Sequence, residues 1–190
     1  MFAFKYKYYL YIENTKDFNL NLIKKRNKFI IIYRNNLKKE NIENLIKFRK
    51  ICKKKGIKFY VANDMSLANI IKADGLYISA YNRCFKHLNK ISHKFQIIGS
   101  AHNYKELFIK KKQGCSQVVF SRLFKTEYKN KTSFLGIVRF NLFVGLTRSR
   151  LIPLGGIKLI NLNSLKLINS GSLGILSEIK KKPAIANRLF

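Results

Sequence analysis

The chain has 190 residues, with 39 Lys and Arg against 9 Asp and Glu, a formal net charge of +30 and a pI near 10.3. Hydrophobic residues make up 47% and aromatics 13%, which excludes wholesale disorder and supplies a core; two Pro and ten Gly exclude collagen-like and Pro-rich chains. Three cysteines, Cys52, Cys84 and Cys115, with no CxxC pair, indicate neither a disulfide framework nor a structural zinc site, and a reducing cytoplasm is expected.

No apolar run approaches the ~20 residues of a membrane span. Residues 1–10 interleave Lys with aromatics, so neither a membrane nor a signal peptide is expected. The charge reads as compositional bias, because Lys, Ile and Asn are inflated together, as in residues 23–30, and basic residues recur along the whole chain. A dispersed cationic shell argues against a nucleic-acid partner, yet its field still draws anionic substrates toward any cleft.

In chain order, runs rich in β-branched and aromatic residues predict strands at 8–13, 29–33, 57–62, 75–79, 95–99, 117–121, 151–154 and 173–176. Amphipathic or helical patterns lie between them at 41–55, 104–112, 136–146 and 159–169. In the first, Ile42, Leu45, Ile46, Phe48, Arg49 and Cys52 form the stripe. The run Phe29-Ile30-Ile31-Ile32-Tyr33 is continuous where a half-exposed strand would alternate, so the strands are buried on both faces and parallel. Eight units in 190 residues is about 24 per unit, close to the minimum for a strand, a helix and two loops. The predicted fold is therefore α/β, a single-domain, trimmed (β/α)8 TIM barrel over residues 1–190, with a doubly wound open sheet as the alternative. No GxGxxG or GxxxxGK[ST] occurs, which removes the dinucleotide and P-loop readings.

Chemistry in such a barrel sits at the C-terminal strand ends. Those positions carry Arg34-Asn35-Asn36, Asn63-Asp64, Ser79-Ala80-Tyr81-Asn82, Ser100-Ala101-His102-Asn103, Ser121-Arg122, Gly155-Gly156 and Ser177-Glu178. Such a polar, cationic rim suits a phosphorylated ligand. Gly155-Gly156 after β-strand seven is the sharpest feature, since paired glycines let a backbone approach an anion; a plain strand-to-helix turn is the competing reading.

The order of motifs resembles the thiamine phosphate synthase family. The matching stretches are Tyr60-Val61-Ala62-Asn63-Asp64, Lys72-Ala73-Asp74-Gly75-Leu76-Tyr77-Ile78, Ile97-Ile98-Gly99-Ser100-Ala101-His102, Ser121 to Thr126 with Lys129, Ile152 to Ile157 with Asn161, and Gly171 to Gly174. The resemblance spans about residues 8 to 179. It implies a transferase that joins a pyrimidine diphosphate to a thiazole phosphate and releases pyrophosphate through a Mg²⁺-assisted, carbocation-like step. Arg34 would clamp pyrophosphate, Asn63 would contact the diphosphate, and Ser100 would donate to phosphate. Lys129 would neutralise the leaving group, and Gly155 and Gly156 would cradle the thiazole phosphate. Asp64 matches the Mg²⁺-binding Asp, and Asn82 stands where the family has its second metal carboxylate. The implied partners are the two phosphorylated substrates, with a homodimer left open.

The chain also departs from the pattern. Ile32, Asn36 and Asn82 stand where the family has Gln, Lys and a carboxylate, and Arg122 and Lys125 replace prolines. Mg²⁺ is held by carboxylates plus substrate phosphates, so Asn82 weakens the expected metal site. The alternative function is a relative that binds, or isomerises, a phosphorylated thiazole; the distant third is a basic nucleic-acid-binding protein. His102 is read first as a hydrogen-bonded structural residue, His87 and His93 as surface residues, Asp74 as a loop or capping residue, and Cys115 as buried and inert.

Overall fold

In the computed structural model, which describes residues 7–23, 27–35, 40–86, 95–126, 133–161 and 163–175, eight parallel strands close into a barrel in chain order. They are β1 (Lys7–Ile12), β2 (Phe29–Tyr33), β3 (Lys58–Ala62), β4 (Gly75–Ile78), β5 (Gln96–Ala101), β6 (Gln117–Ser121), β7 (Leu151–Leu154) and β8 (Ser172–Ile175). Tyr9 of β1 lies opposite Ile30 on one side and Gly174 on the other. That closure leaves no sheet edge and removes the open-sheet alternative.

Alternation along each strand explains the continuous apolar runs. Tyr9, Tyr11, Ile30, Ile32, Tyr60, Tyr77, Ile98, Val119 and Ile152 fill the barrel interior. Their neighbours, among them Leu10, Ile31, Phe59 and Phe120, pack outward against Leu45, Phe48, Leu107 and Phe140. Gly75 serves this packing directly: a Cβ there would stand 2.3 Å from the Tyr60 ring and 2.1 Å from the Gln96 carbonyl.

Four α-helices are seen among the described residues: α1 (Ile42–Lys54), α2 (Met65–Ile70), α3 (Tyr104–Lys112) and α4 (Gly136–Thr147). α1 starts at Asn41, whose side chain accepts from the Glu43 N–H, and buries Leu45, Phe48 and Cys52. Arg49 of the same helix meets Asp74 at 2.7 Å, and the other Asp74 oxygen accepts from the Phe59 N–H at 2.7 Å. Asp74 is thus the loop residue it was expected to be, tying α1 to the strands.

Two helix expectations need correction. α2 was not anticipated at all. The helix expected at 159–169 is instead two 3-10 turns, Leu159–Asn161 and Asn163–Leu167. The reason is local: Asn161 accepts from the Lys158 N–H at 2.8 Å and donates to the Gly156 carbonyl at 2.7 Å, so its side chain competes with the helical ladder. Among the described residues no helix is long and apolar enough to cross a membrane.

Candidate functional site

A cavity of about 230 Å³ opens at the C-terminal end of the barrel, lined by Tyr11, Arg34, Tyr77, Ser79, Tyr81, Ser100, His102, Ser121 and Leu154 among others. Six strands contribute to it directly or through the residues that follow them. Of the residues expected in the site, Arg34 and Ser100 line the cavity together.

Arg34 is held at the mouth by its backbone, whose N–H donates to the Ile12 carbonyl at 2.8 Å. Its guanidinium carbon lies 6.0 Å from the centre of the Tyr81 ring. Its Nε is buried with no hydrogen-bond partner among the described residues. Buried donors are rarely left unpaired, which singles Arg34 out among the lining residues. Beneath it the Tyr11 hydroxyl donates to the Tyr77 hydroxyl at 3.1 Å, and Tyr77 also meets Ser100. Burial pushes the Tyr11 and Tyr77 phenols up, so this floor is neutral. Tyr81 is pulled down by hydrogen bonding to Ser79 and by Arg34.

The other expected residues are placed beside the cavity. Asn63, left-handed at φ 58°, donates through Nδ2 to the Ser79 hydroxyl at 2.8 Å and accepts through Oδ1 from the Ser79 N–H at 3.0 Å. It acts on the cavity through Ser79. Asp64 is exposed and caps α2, one oxygen accepting from the Leu67 N–H at 2.9 Å. Asn82 donates to Asn63 Oδ1 at 3.0 Å and accepts from the Cys84 N–H at 2.9 Å.

Leu154 lines the cavity, while Gly155 and Gly156 follow it at φ 95° and 69°. A Cβ at Gly156 would stand 2.5–2.6 Å from the carbonyls of Phe124 and Lys125. The close backbone approach read into this pair is therefore present within the chain, toward the loop after β6. Lys129, Asn36, His87, His93, Ser177 and Glu178 lie outside the described residues.

Several lining residues carry no assigned catalytic or binding role in the sequence reading, although His102, Ser121 and Tyr81 stand among its strand-end positions. His102 and Ser121 share a hydrogen bond of 2.7 Å between Nδ1 and Oγ on the cavity wall. Tyr11 and Tyr77 read as core, and Tyr81 as a loop residue. Cys115 is partly buried, and burial pushes its thiol up to about 12, which keeps it inert.

Comparison with known proteins follows the same line. The family model for thiamine monophosphate synthase matches residues 13–179. A curated thiamine-phosphate synthase from Prochlorococcus marinus subsp. pastoris is 30% identical over 123 residues, which is 63% of this chain and 34% of that protein. The chain thus matches about a third of that relative's length. A thiamine phosphate pyrophosphorylase structure from Pyrococcus furiosus is similar with a TM-score of 0.78 and 16% identity, covering 97% of this chain and 94% of that one. The structure of a 3-hexulose-6-phosphate synthase is similar with a TM-score of 0.68 and 13% identity, covering 96% and 97%. At these identities the two structures establish the fold.

Proposed function

The chain belongs to the thiamine monophosphate synthase family, and on that premise we propose that it is a transferase joining a hydroxymethylpyrimidine diphosphate to a thiazole phosphate with release of pyrophosphate. The observation that carries the reading to this cavity is the buried Nε of Arg34, which has no hydrogen-bond partner among the described residues. In a dissociative displacement the leaving pyrophosphate takes the electron pair of the bond that breaks. A fixed guanidinium meets the developing charge with forked donors and little reorganisation. The hydroxyl of Ser100 on the same wall supplies a further donor. The neutral rings of Tyr11, Tyr77 and Tyr81 offer aromatic faces to a developing carbocation.

The test is pyrophosphate release by the purified chain given both substrates together and each alone. Release that requires both, and falls at least tenfold in Arg34→Met, is the expected result. A second reading is favoured by the cavity volume of about 230 Å³, below the ~300–1,000 Å³ usual for small-molecule sites. In that reading the cavity takes one phosphorylated thiazole and no transfer occurs. Tight thiazole phosphate binding without pyrophosphate release would select it.

A further inference from the structure

The divalent-ion site implied by the resemblance needs oxygen donors at the ends of β3 and β4, and here the amide oxygens and one of the two Asp64 oxygens are bonded within the chain. The orientation of each amide follows from backbone groups that only donate. The Ser79 N–H donates to Asn63 Oδ1, so the Asn82 atom that meets this oxygen at 3.0 Å is Nδ2. Asn82 Oδ1 faces the Cys84 N–H. One carboxylate oxygen of Asp64 caps α2. Among the described residues no group of three or more His, Cys, Asp and Glu side chains comes together to hold a metal.

The charge beneath the loop points the same way. Lys110 of α3 is fully buried, and its ammonium donates to the Asn82 carbonyl at 2.6 Å and to Gln113 Oε1 at 2.8 Å. Gln113 Nε2 in turn donates to the Asn82 and Cys84 carbonyls at 3.1 and 2.8 Å. Two carboxylates, at the positions of Asp64 and Asn82, would repel and be reconciled by a cation between them. With an amide at Asn82 only one of those charges is left, and a buried ammonium under the same loop opposes a second cation there.

We infer that Asn82, hydrogen-bonded to Asn63 and backed by Lys110, takes the place of a metal carboxylate, and that this chain binds pyrophosphate through Arg34 without requiring Mg²⁺. The residues present fit the expected two-carboxylate site poorly: Asp64 keeps one oxygen on the α2 cap, and at the second position Asn82 presents Nδ2 to Asn63 and its Oδ1 to the Cys84 N–H. The inference rests on the reading that the cavity takes a pyrophosphate.

Calorimetric titration of the full chain with inorganic pyrophosphate, in EDTA and in excess Mg²⁺, tests both. Affinities within about twofold of each other, and at least tenfold weaker in Arg34→Met under both conditions, are expected. Electron paramagnetic resonance of Mn²⁺ added without pyrophosphate should show only the free-ion spectrum. Asn82→Asp sets an oxygen against Asn63 Oδ1 and should weaken binding severalfold in EDTA; if that variant does not fold, the two titrations of the parent chain decide. Affinity more than tenfold higher in Mg²⁺ than in EDTA, or Mn²⁺ captured by the parent chain, overturns the inference and leaves the pyrophosphate reading standing. Absence of binding in both buffers overturns the two together.

Discussion

The two ends of the barrel interior are built from the same residue and differ in what its hydroxyl meets. At the N-terminal end, Tyr9 donates to Gln117, and Tyr60 to Gln96 at 2.6 Å, with Lys58 also donating to Gln96 at 3.1 Å. At the C-terminal end, Tyr11 and Tyr77 donate and accept between themselves beneath Arg34, whose Nε has no partner among the described residues. The lower end is a closed account of donors and acceptors and works as core. Among the described residues the upper end leaves a charged donor over, and in the proposed function that surplus is what makes a site of an otherwise similar layer.

What the ends share gives the largest expected effect. Burial raises the Tyr9 phenol from 10.0 to about 12, only partly offset by a hydrogen bond with Ser172, and burial raises Tyr11, Tyr60 and Tyr77 as well. A raised folded pKa means that the stabilisation is complete below the unfolded value, about pH 10, and is lost as pH climbs through the folded one. Tyr9 alone accounts for about 3 kcal/mol across that window, against a total of ~5–15 kcal/mol for a typical domain. Circular dichroism and the late phase of tyrosinate absorbance, which belongs to these buried phenols, should change together in one cooperative step above pH 10. Complete ionisation of the tyrosines near pH 10 with the barrel intact would show that the interior is wet.

The next two effects separate the ends. Arg34→Met removes a charge-assisted contact worth about 1.5–3 kcal/mol, so pyrophosphate affinity should fall roughly tenfold to a hundredfold while the melting temperature holds. Gln96→Leu does the reverse. It strands the buried Tyr60 hydroxyl at a cost of about 1–3 kcal/mol and should lower the melting temperature without touching anion binding. If Gln96→Leu weakened binding as much as Arg34→Met, the distinction between core end and site end would collapse.

Strands were easy to read because both of their faces are buried. The runs at 29–33, 117–121 and 151–154 have the bounds found for β2, β6 and β7. α2 was missed because six residues are too few to show a period, and its clearest signal, Asp64 capping Leu67, resembles a metal ligand when only the family motif is in view. The segment 159–169 has helical apolar spacing, but Asn161 ties it into a turn. In the site, Arg34 and Ser100 were legible as polar residues at strand ends. Tyr11 and Tyr77 were not, since a buried tyrosine in a strand reads as core until its neighbours across the barrel are known. Gly156 shows the same limit from the other side. Close backbone approach was legible there, but that it is made to Phe124 and Lys125 depends on β6 lying beside β7.

The smallest expected effect tests whether any part of the upper end is built like the lower one. Ser121 ends β6 and His102 follows β5, and the β5–β6 pairing brings their side chains to 2.7 Å. This is a mutually satisfied pair, as Tyr60 and Gln96 are, but it stands on the cavity wall. Ser121→Ala deletes the hydroxyl without adding a glycine's chain entropy. A net loss of about 0.5–1.5 kcal/mol is the usual value for such a bond. The lower part of that range applies, since water reaches both groups and replaces the missing partner. The melting temperature should therefore drop by about 1–4 °C, and pyrophosphate affinity should change by less than about threefold, because Arg34 and Ser100 remain in place. Differential scanning calorimetry and the same pyrophosphate titration read the two quantities on one sample. A loss of affinity approaching that of Arg34→Met would move the His102–Ser121 pair out of the wall and into the anion site, with Ser121 as a direct donor to the ligand.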